Sequence, residues 1–202
     1  MATYGFIGTG NMGGAVAKAA AKAVGGGNLF FANRTPAKAE ALAAELGGQA
    51  CDNGTAARQD YIFLGVKPQM MAGMLEGIRP VLRERAEKGE TFTLVTMAAS
   101  LTIGKIREMA GVEAPTVRIM PNLPISIGKG VILYTASGAE KTLPGLREAL
   151  PPAGMLLPVE ERLIDAGSAV AGCGPAFACL FIEALADGGV ACGLPRAQAQ
   201  AL

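Results

Sequence analysis

Short apolar runs recur along the chain, each closed by glycine, proline or charge, and segments of helical period fill the intervals. Tyr4–Ile7, Leu29–Ala32 and residues 50–51, 61–66, 92–96 and 116–119 read as strands. Residues 61–66 form an unbroken apolar run between charged flanks, the pattern of a parallel strand buried on both faces. The interval 11–24 is an Ala-rich helix ended by three glycines at 25–27. Residues 36–46 carry Ala39, Leu42, Ala43 and Leu46 at helical spacing. Two further strands, 130–134 and 155–159, flank a helix near 140–150. Strand and helix alternate throughout, which predicts an α/β unit over residues 1–162 with a Rossmann-like, doubly wound, mostly parallel sheet.

From residue 163 to 202 the pattern changes to helix alone, with a helix over 175–190, Gly193 as terminator and Pro195 opening another. This part is too short to hold itself together. Phe177, Leu180, Phe181, Ile182 and Leu185 are apolar on more than one face, so a homodimer or higher homo-oligomer is expected through a helical unit. The chain is expected to stop inside that unit. The uncharged stretch between Asp165 and Glu183 is slightly short for a membrane span and is interrupted by Gly172, Gly174 and Pro175. It reads as a buried turn and helix, with no membrane involved.

The first strand runs into Gly8-Thr9-Gly10-Asn11-Met12-Gly13. A GxGxxG between a strand and a helix is a site for a dinucleotide pyrophosphate. The first glycine permits a sharp turn, the second lets backbone approach the phosphate, and the third lets helix pack on strand. The helix N-terminus offers N–H groups and partial positive charge to the anion. At the end of the second strand, about twenty residues on, NAD-binding chains usually place an acidic residue. Asn33-Arg34-Thr35 stand there instead, which suits a 2′-phosphate and favours NADPH, with NADH possible. Thr35 also reads as an N-cap before Pro36. In such sheets ligands sit beyond the carboxyl ends of the strands, so the glycine turn, Val66–Pro68, Met97–Ala99 and Met120–Asn122 are expected around one crevice.

Composition narrows the chemistry. Half of the 202 residues are apolar, 17% are charged, and the net charge is +1 with both signs interspersed. No basic stripe or aromatic platform points to nucleic acid. The chain lacks histidine and its four cysteines form no CxxC pair, so no metal site, disulfide scaffold or His-activated nucleophile is expected. Reduced, buried thiols in a cytoplasmic protein are the expected state. The N-terminus has no basic segment before its apolar run, so no secretory signal is expected there.

Several ordered motifs go further: Gly8-Thr9-Gly10-Asn11-Met12-Gly13, Val66-Lys67-Pro68-Gln69, Arg118-Ile119-Met120-Pro121-Asn122, Ala171-Gly172-Cys173-Gly174-Pro175-Ala176-Phe177, residues 183–190, and Gly193-Leu194-Pro195-Arg196. Together they closely resemble the pyrroline-5-carboxylate reductase family, from Ile7 to the last residue. The resemblance implies reduction of the C=N bond of 1-pyrroline-5-carboxylate to L-proline by NADPH or NADH, the last step of proline biosynthesis. It implies cofactor contacts at Gly8, Thr9, Gly10, Asn11, Met12, Gly13, Asn33 and Arg34. Gly65, Val66, Lys67, Pro68, Met97, Ala98 and Ala99 complete that set, with Asn53 near the adenosine. Met120, Pro121 and Asn122 are implied near the nicotinamide and substrate, with Gly172, Cys173 and Gly174 close by. Leu123 and Cys173 stand where the family commonly has Thr and Ser. The family's Gly/Ser/Thr-rich loop for the substrate carboxylate would fall beyond Leu202.

No residue stands out as the catalytic acid. Glu183 can be nominated, but with Asp187 one turn away it reads as a solvated or interface face with mild mutual repulsion. Two rivals remain. A β-hydroxyacid dehydrogenase needs a lysine from its helical domain, whereas the last lysine here is Lys141. A non-catalytic NADPH-binding module is the other.

Overall fold

The computed structural model describes all 202 residues. They divide into two compact units, Met1–Asp165 and Ala166–Leu202.

In the first unit, strands β1 (Tyr4–Ile7), β2 (Leu29–Ala32), β3 (Gln49–Ala50), β4 (Tyr61–Leu64), β5 (Thr93–Thr96), β6 (Thr116–Pro121), β7 (Gly130–Ser137) and β8 (Gly154–Pro158) form one sheet. Its order is β3-β2-β1-β4-β5-β6-β7-β8. Every neighbouring pair is parallel except β6 with β7. Only a short 3₁₀ turn, Leu123–Ile127, joins those two, and a parallel return needs a longer crossover.

Helices α1 (Asn11–Val24), α2 (Pro36–Leu46), α3 (Asn53–Ala56), α4 (Pro68–Glu87), α5 (Ile103–Ala110) and α6 (Leu143–Ala149) cover the sheet. α1, α2 and α6 share a core with Phe6, Phe31, Phe63 and Val117, whereas α3, α4 and α5 share one with Ile7, Ile62, Leu64 and Leu94. Both faces are therefore buried, which is why the strands read as continuous apolar runs. Phe6 stacks on Phe63 at 4.4 Å between ring centroids, and Tyr4 on Tyr61 at 5.0 Å. The Tyr61 hydroxyl donates to the Thr142 carbonyl at 2.6 Å, and burial pushes the Tyr4 hydroxyl up to about 12.

Three glycines fix the approach of α1 to the sheet. Gly8 has φ +99°, a conformation that favours glycine, and a Cβ there would lie 2.7 Å from the Gly65 carbonyl. A Cβ on Gly13 or on Gly65 would strike the Gly8 carbonyl oxygen. Gly10 differs: no atom lies within 4 Å of the position a Cβ would take.

One expectation changes in detail: Thr35 occupies the N-cap of α2 with Pro36 after it, but its side chain makes no capping bond. Asp52, just before α3, caps that helix by accepting the Thr55 N–H at 2.6 Å. That bond holds the Asp52 carboxyl below the usual range.

The second unit corrects the expected buried turn. α7 (Ile164–Ser168), a π-helical turn Ala169–Cys173 and α8 (Gly174–Ala191) run on without a break into a loop before α9 (Arg196–Ala201). Pro175 falls in the first turn of α8, where the widened π turn before it absorbs the missing N–H. The segment is exposed, not buried: Phe177 and Leu180 are each 69% accessible. By length and composition alone, Glu161–Ala191 is also apolar enough to cross a bilayer, with mean hydropathy 1.8. Glu183 and Asp187 do not merely repel each other, because the Arg196 guanidinium at the start of α9 bridges both. Their carboxylates raise the Arg196 pKa, Asp187 contributing most.

The glycine contacts separate two roles by experiment. Gly13→Ala forces backbone apart and should cost about 1–3 kcal/mol of stability. Gly10→Ala, facing open space, should leave stability within about 0.5 kcal/mol. Urea denaturation of both variants checks this; equal losses would contradict it.

Candidate functional site

The carboxyl ends of β1, β4, β5 and β6 lie side by side in the sheet and point the same way. Beyond the first two of them, and beyond β2 and β3, opens a cavity of about 1130 Å³. Its floor is Gly8 and Gly10 from the glycine turn and Gly65 and Val66 from the end of β4. Asn33 and Arg34 line one end, together with Cys51 and Asn53. Lys67 stands on the opposite wall.

The glycine turn is built to receive an anion. Gly10 is the N-cap of α1 and supplies no side-chain acceptor, and no acidic residue sits in the first turn. The first N–H groups of α1 are thus left for a ligand rather than for the chain. The bare space at Gly10 is where a phosphate would approach the backbone. Asn33 is held in place by donating from Nδ2 to Thr9 Oγ1 at 2.9 Å, a bond that ties the end of β2 to the turn. Arg34, next to it, is exposed at the cavity wall.

Of the expected residues, the cavity therefore gathers Gly8, Gly10, Asn33, Arg34, Asn53, Gly65, Val66 and Lys67. Thr9 acts through Asn33, and Asn11 lines a shallower depression beside α1. Met12 and Gly13 pack inward, and Pro68 is the first residue of α4. Met97, Ala98 and Ala99 follow β5, while Met120, Pro121 and Asn122 end β6; none of them lines this cavity. They belong to the neighbouring part of the same strand-end row. Asn122 is buried and accepts the Val131 N–H on Oδ1 at 2.8 Å, so its side chain staples the segment to β7. Gly172 and Cys173 lie in the π turn of the second unit, and Gly174 starts α8.

Sequence reasoning missed the helical walls. Lys38 and Glu40 come from α2, and Met70, Gly73 and Met74 from α4. The available signal was position: each lies within two turns of a helix that begins at a strand-end loop.

The thiols also differ from expectation. All four cysteines are free, but Cys173, Cys179 and Cys192 are exposed and only Cys51 is half-buried. Burial, and then the Asp52 carboxylate, push the Cys51 thiol up to about 11.

Comparison with known proteins gives these residues a context. Residues 3–90 match the family described as NADP oxidoreductase, coenzyme F420-dependent, and residues 161–202 match the pyrroline-5-carboxylate reductase dimerisation family. The chain is 36% identical over 180 residues to pyrroline-5-carboxylate reductase of Corynebacterium melassecola, covering 87% of this chain and 65% of that one. It is 34% identical to the Aquifex aeolicus enzyme over 199 residues, covering 96% of this chain and 71% of the other. Among solved structures, Plasmodium falciparum pyrroline carboxylate reductase with NADP bound superposes with TM-score 0.82 and 30% identity, over 98% of this chain and 73% of that chain.

Burial at the cavity wall sets a reactivity. The thiolate is the nucleophile, and a thiol deprotonating only near 11 keeps the neutral form through the ordinary thiol range. Iodoacetamide labelling of Cys51, followed by mass spectrometry, should therefore rise about tenfold per pH unit up to that value. A plateau in the ordinary thiol range would contradict it.

Proposed function

This chain belongs to the pyrroline-5-carboxylate reductase family, and on that premise we propose that it reduces 1-pyrroline-5-carboxylate to L-proline with NADPH. The observation that carries the reading is the cavity running from the uncapped glycine turn to Asn33 and Arg34. A dinucleotide pyrophosphate fits the turn, and the adenosine end with its 2′-phosphate fits beside Arg34. NADPH is favoured over NADH because Asn33 and Arg34 occupy the place of the acidic residue that would repel the phosphate.

When bound, the cofactor supplies the hydride, and the protein supplies orientation and exclusion of water. The carbon of the C=N bond would accept that hydride, with the nitrogen already protonated when the substrate enters from solvent. Protonation of the imine makes that carbon more electrophilic, so few titratable side chains are needed. Gly8, Gly10 and the first turn of α1 hold the pyrophosphate. Val66 and Lys67 would hold the middle of the cofactor, leaving its nicotinamide for the neighbouring strand ends at Met97–Ala99 and Met120–Asn122.

The second unit serves assembly on this reading. Phe177, Leu180, Phe181, Ile182 and Leu185 are all exposed, and the matching dimerisation family spans their segment. A second copy covering them gives a homodimer. The free cysteines suit the reducing cytoplasm.

The first test follows loss of NADPH absorbance on adding 1-pyrroline-5-carboxylate to the full-length protein. Turnover is expected, and NADPH binding without turnover would overturn the reading. The second replaces Arg34 by Ala. A lost charge-assisted contact of about 1.5–3 kcal/mol should weaken NADPH binding roughly tenfold or more, with little effect on NADH. Equal losses for both cofactors in a fluorescence titration would remove Arg34 from the 2′-phosphate.

A further inference from the structure

The loop joining β5 to α5 is held under tension, and the groups that hold it lie far away in sequence. Ser100 has φ +63° and is the one non-glycine residue of the chain with a positive φ. Such a conformation persists where the surroundings over-determine it. The loop is anchored before Ser100 by the Ala98 N–H, which donates to Thr96 Oγ1 at 3.3 Å. After Ser100, Thr102 caps α5 by accepting the Lys105 N–H at 3.2 Å.

Two carboxylates one helical turn apart add a tie to the loop and one to the neighbouring strand β6. Glu161 Oε1 accepts the N–H of Ile103, the first residue of α5, at 2.6 Å. That N–H has no acceptor within its own helix, and a carboxylate at a helix N-terminus also meets the favourable end of the dipole. Asp165 Oδ1 accepts from Arg118 Nη2 at 2.6 Å. Arg118 sits on β6 two positions before Met120; its side chain is 2% exposed and its Nε has no partner. A buried guanidinium so incompletely satisfied depends heavily on the acceptor it has. Thr96 and Arg118 are register partners, so the two anchors act on adjacent strand ends.

We propose that Glu161 and Asp165 are positioning residues for the reductase site, holding the β5–α5 loop and the end of β6 in reacting geometry from outside. Neither belongs to the cofactor cavity. They act through Ile103 and Arg118 on Met97–Ala99 and Met120–Asn122, the segments that the proposed function sets beside the nicotinamide and substrate. For its catalytic part the inference rests on that function. For the holding of the loop it does not.

Hydrogen exchange on the oligomer separates the two. Glu161→Ala should speed amide exchange in residues 97–103 by about tenfold, as expected for one charge-assisted hydrogen bond lost. Amides of β1 and the glycine turn that open without the loop should change little. Glu161→Gln retains an acceptor and should restore most of the protection. Asp165→Asn should give a similar, milder pattern at residues 118–122. In the same Glu161→Ala protein kcat should fall while the dissociation constant for NADPH is unchanged, because the cavity is untouched. Unchanged exchange at 97–103, or faster exchange spread evenly over the sheet, would overturn the holding role. Local loosening with unchanged kcat would overturn the positioning role. A wild-type protein without turnover would instead sink the reductase reading, and exchange alone would then decide whether the carboxylates hold the loop.

Discussion

The close approach of three backbone segments without side chains is the constraint on which the remaining structure depends. Gly8 leaves β1, Gly13 lies one turn into α1, Gly65 ends β4, and each occupies space that a Cβ on another would need. This contact sets the depth at which α1 rests on the sheet and draws β1 and β4 together at their carboxyl ends. The cavity floor follows from it, since Gly8 and Gly65 face the opening with backbone alone. The Ala-rich composition of α1 serves the same end, with Ala17 and Ala20 fully buried where larger side chains would lift the helix.

Around that floor the site is assembled from pieces of different rigidity. The strand ends are fixed by register and by two buried cores. The β2 end is fixed by one side-chain bond, Asn33 to Thr9. The β5 and β6 ends rely on longer-range ties, among them Asn122 to Val131 and Glu161 to Ile103. On the proposed function, packing forms the half that would take the adenosine, and polar ties form the half where reaction would occur. Binding the invariant part of a cofactor needs a fixed mould, whereas the reacting half must admit and release a second molecule.

Much of this was legible in the sequence because the strands are short, apolar and punctuated. Residues 61–66 announce a doubly buried strand, and the strand–glycine–helix order of the opening announces the turn. What stayed hidden depends on contacts between distant elements. Beyond their place early in a helix, no feature marks Lys38, Met70 or Met74 as cavity wall, because α2 and α4 acquire a common opening only when β2, β1 and β4 lie side by side. Glu161 and Asp165 carry no local signal either, because their partners are 58 and 47 residues away. Gly172, Gly174 and Pro175 misled in the opposite sense. They are turn formers by propensity, yet helix runs through them because the π turn before α8 takes up the N–H that Pro175 lacks. Arg196 likewise turns an apparent repulsion between Glu183 and Asp187 into an ionic trio.

The three glycines of the opening turn answer to different selective pressures, although a sequence pattern writes them alike. Gly8 and Gly13 are demanded by the chain itself, so a lineage that replaced either would carry a less stable protein whatever its function. Gly10 is demanded by nothing in the chain. On the proposed function, a ligand pressed against its backbone is what a side chain there would meet. A descendant that abandoned the ligand while retaining the fold would betray itself first at that position, by a side chain growing into the empty space.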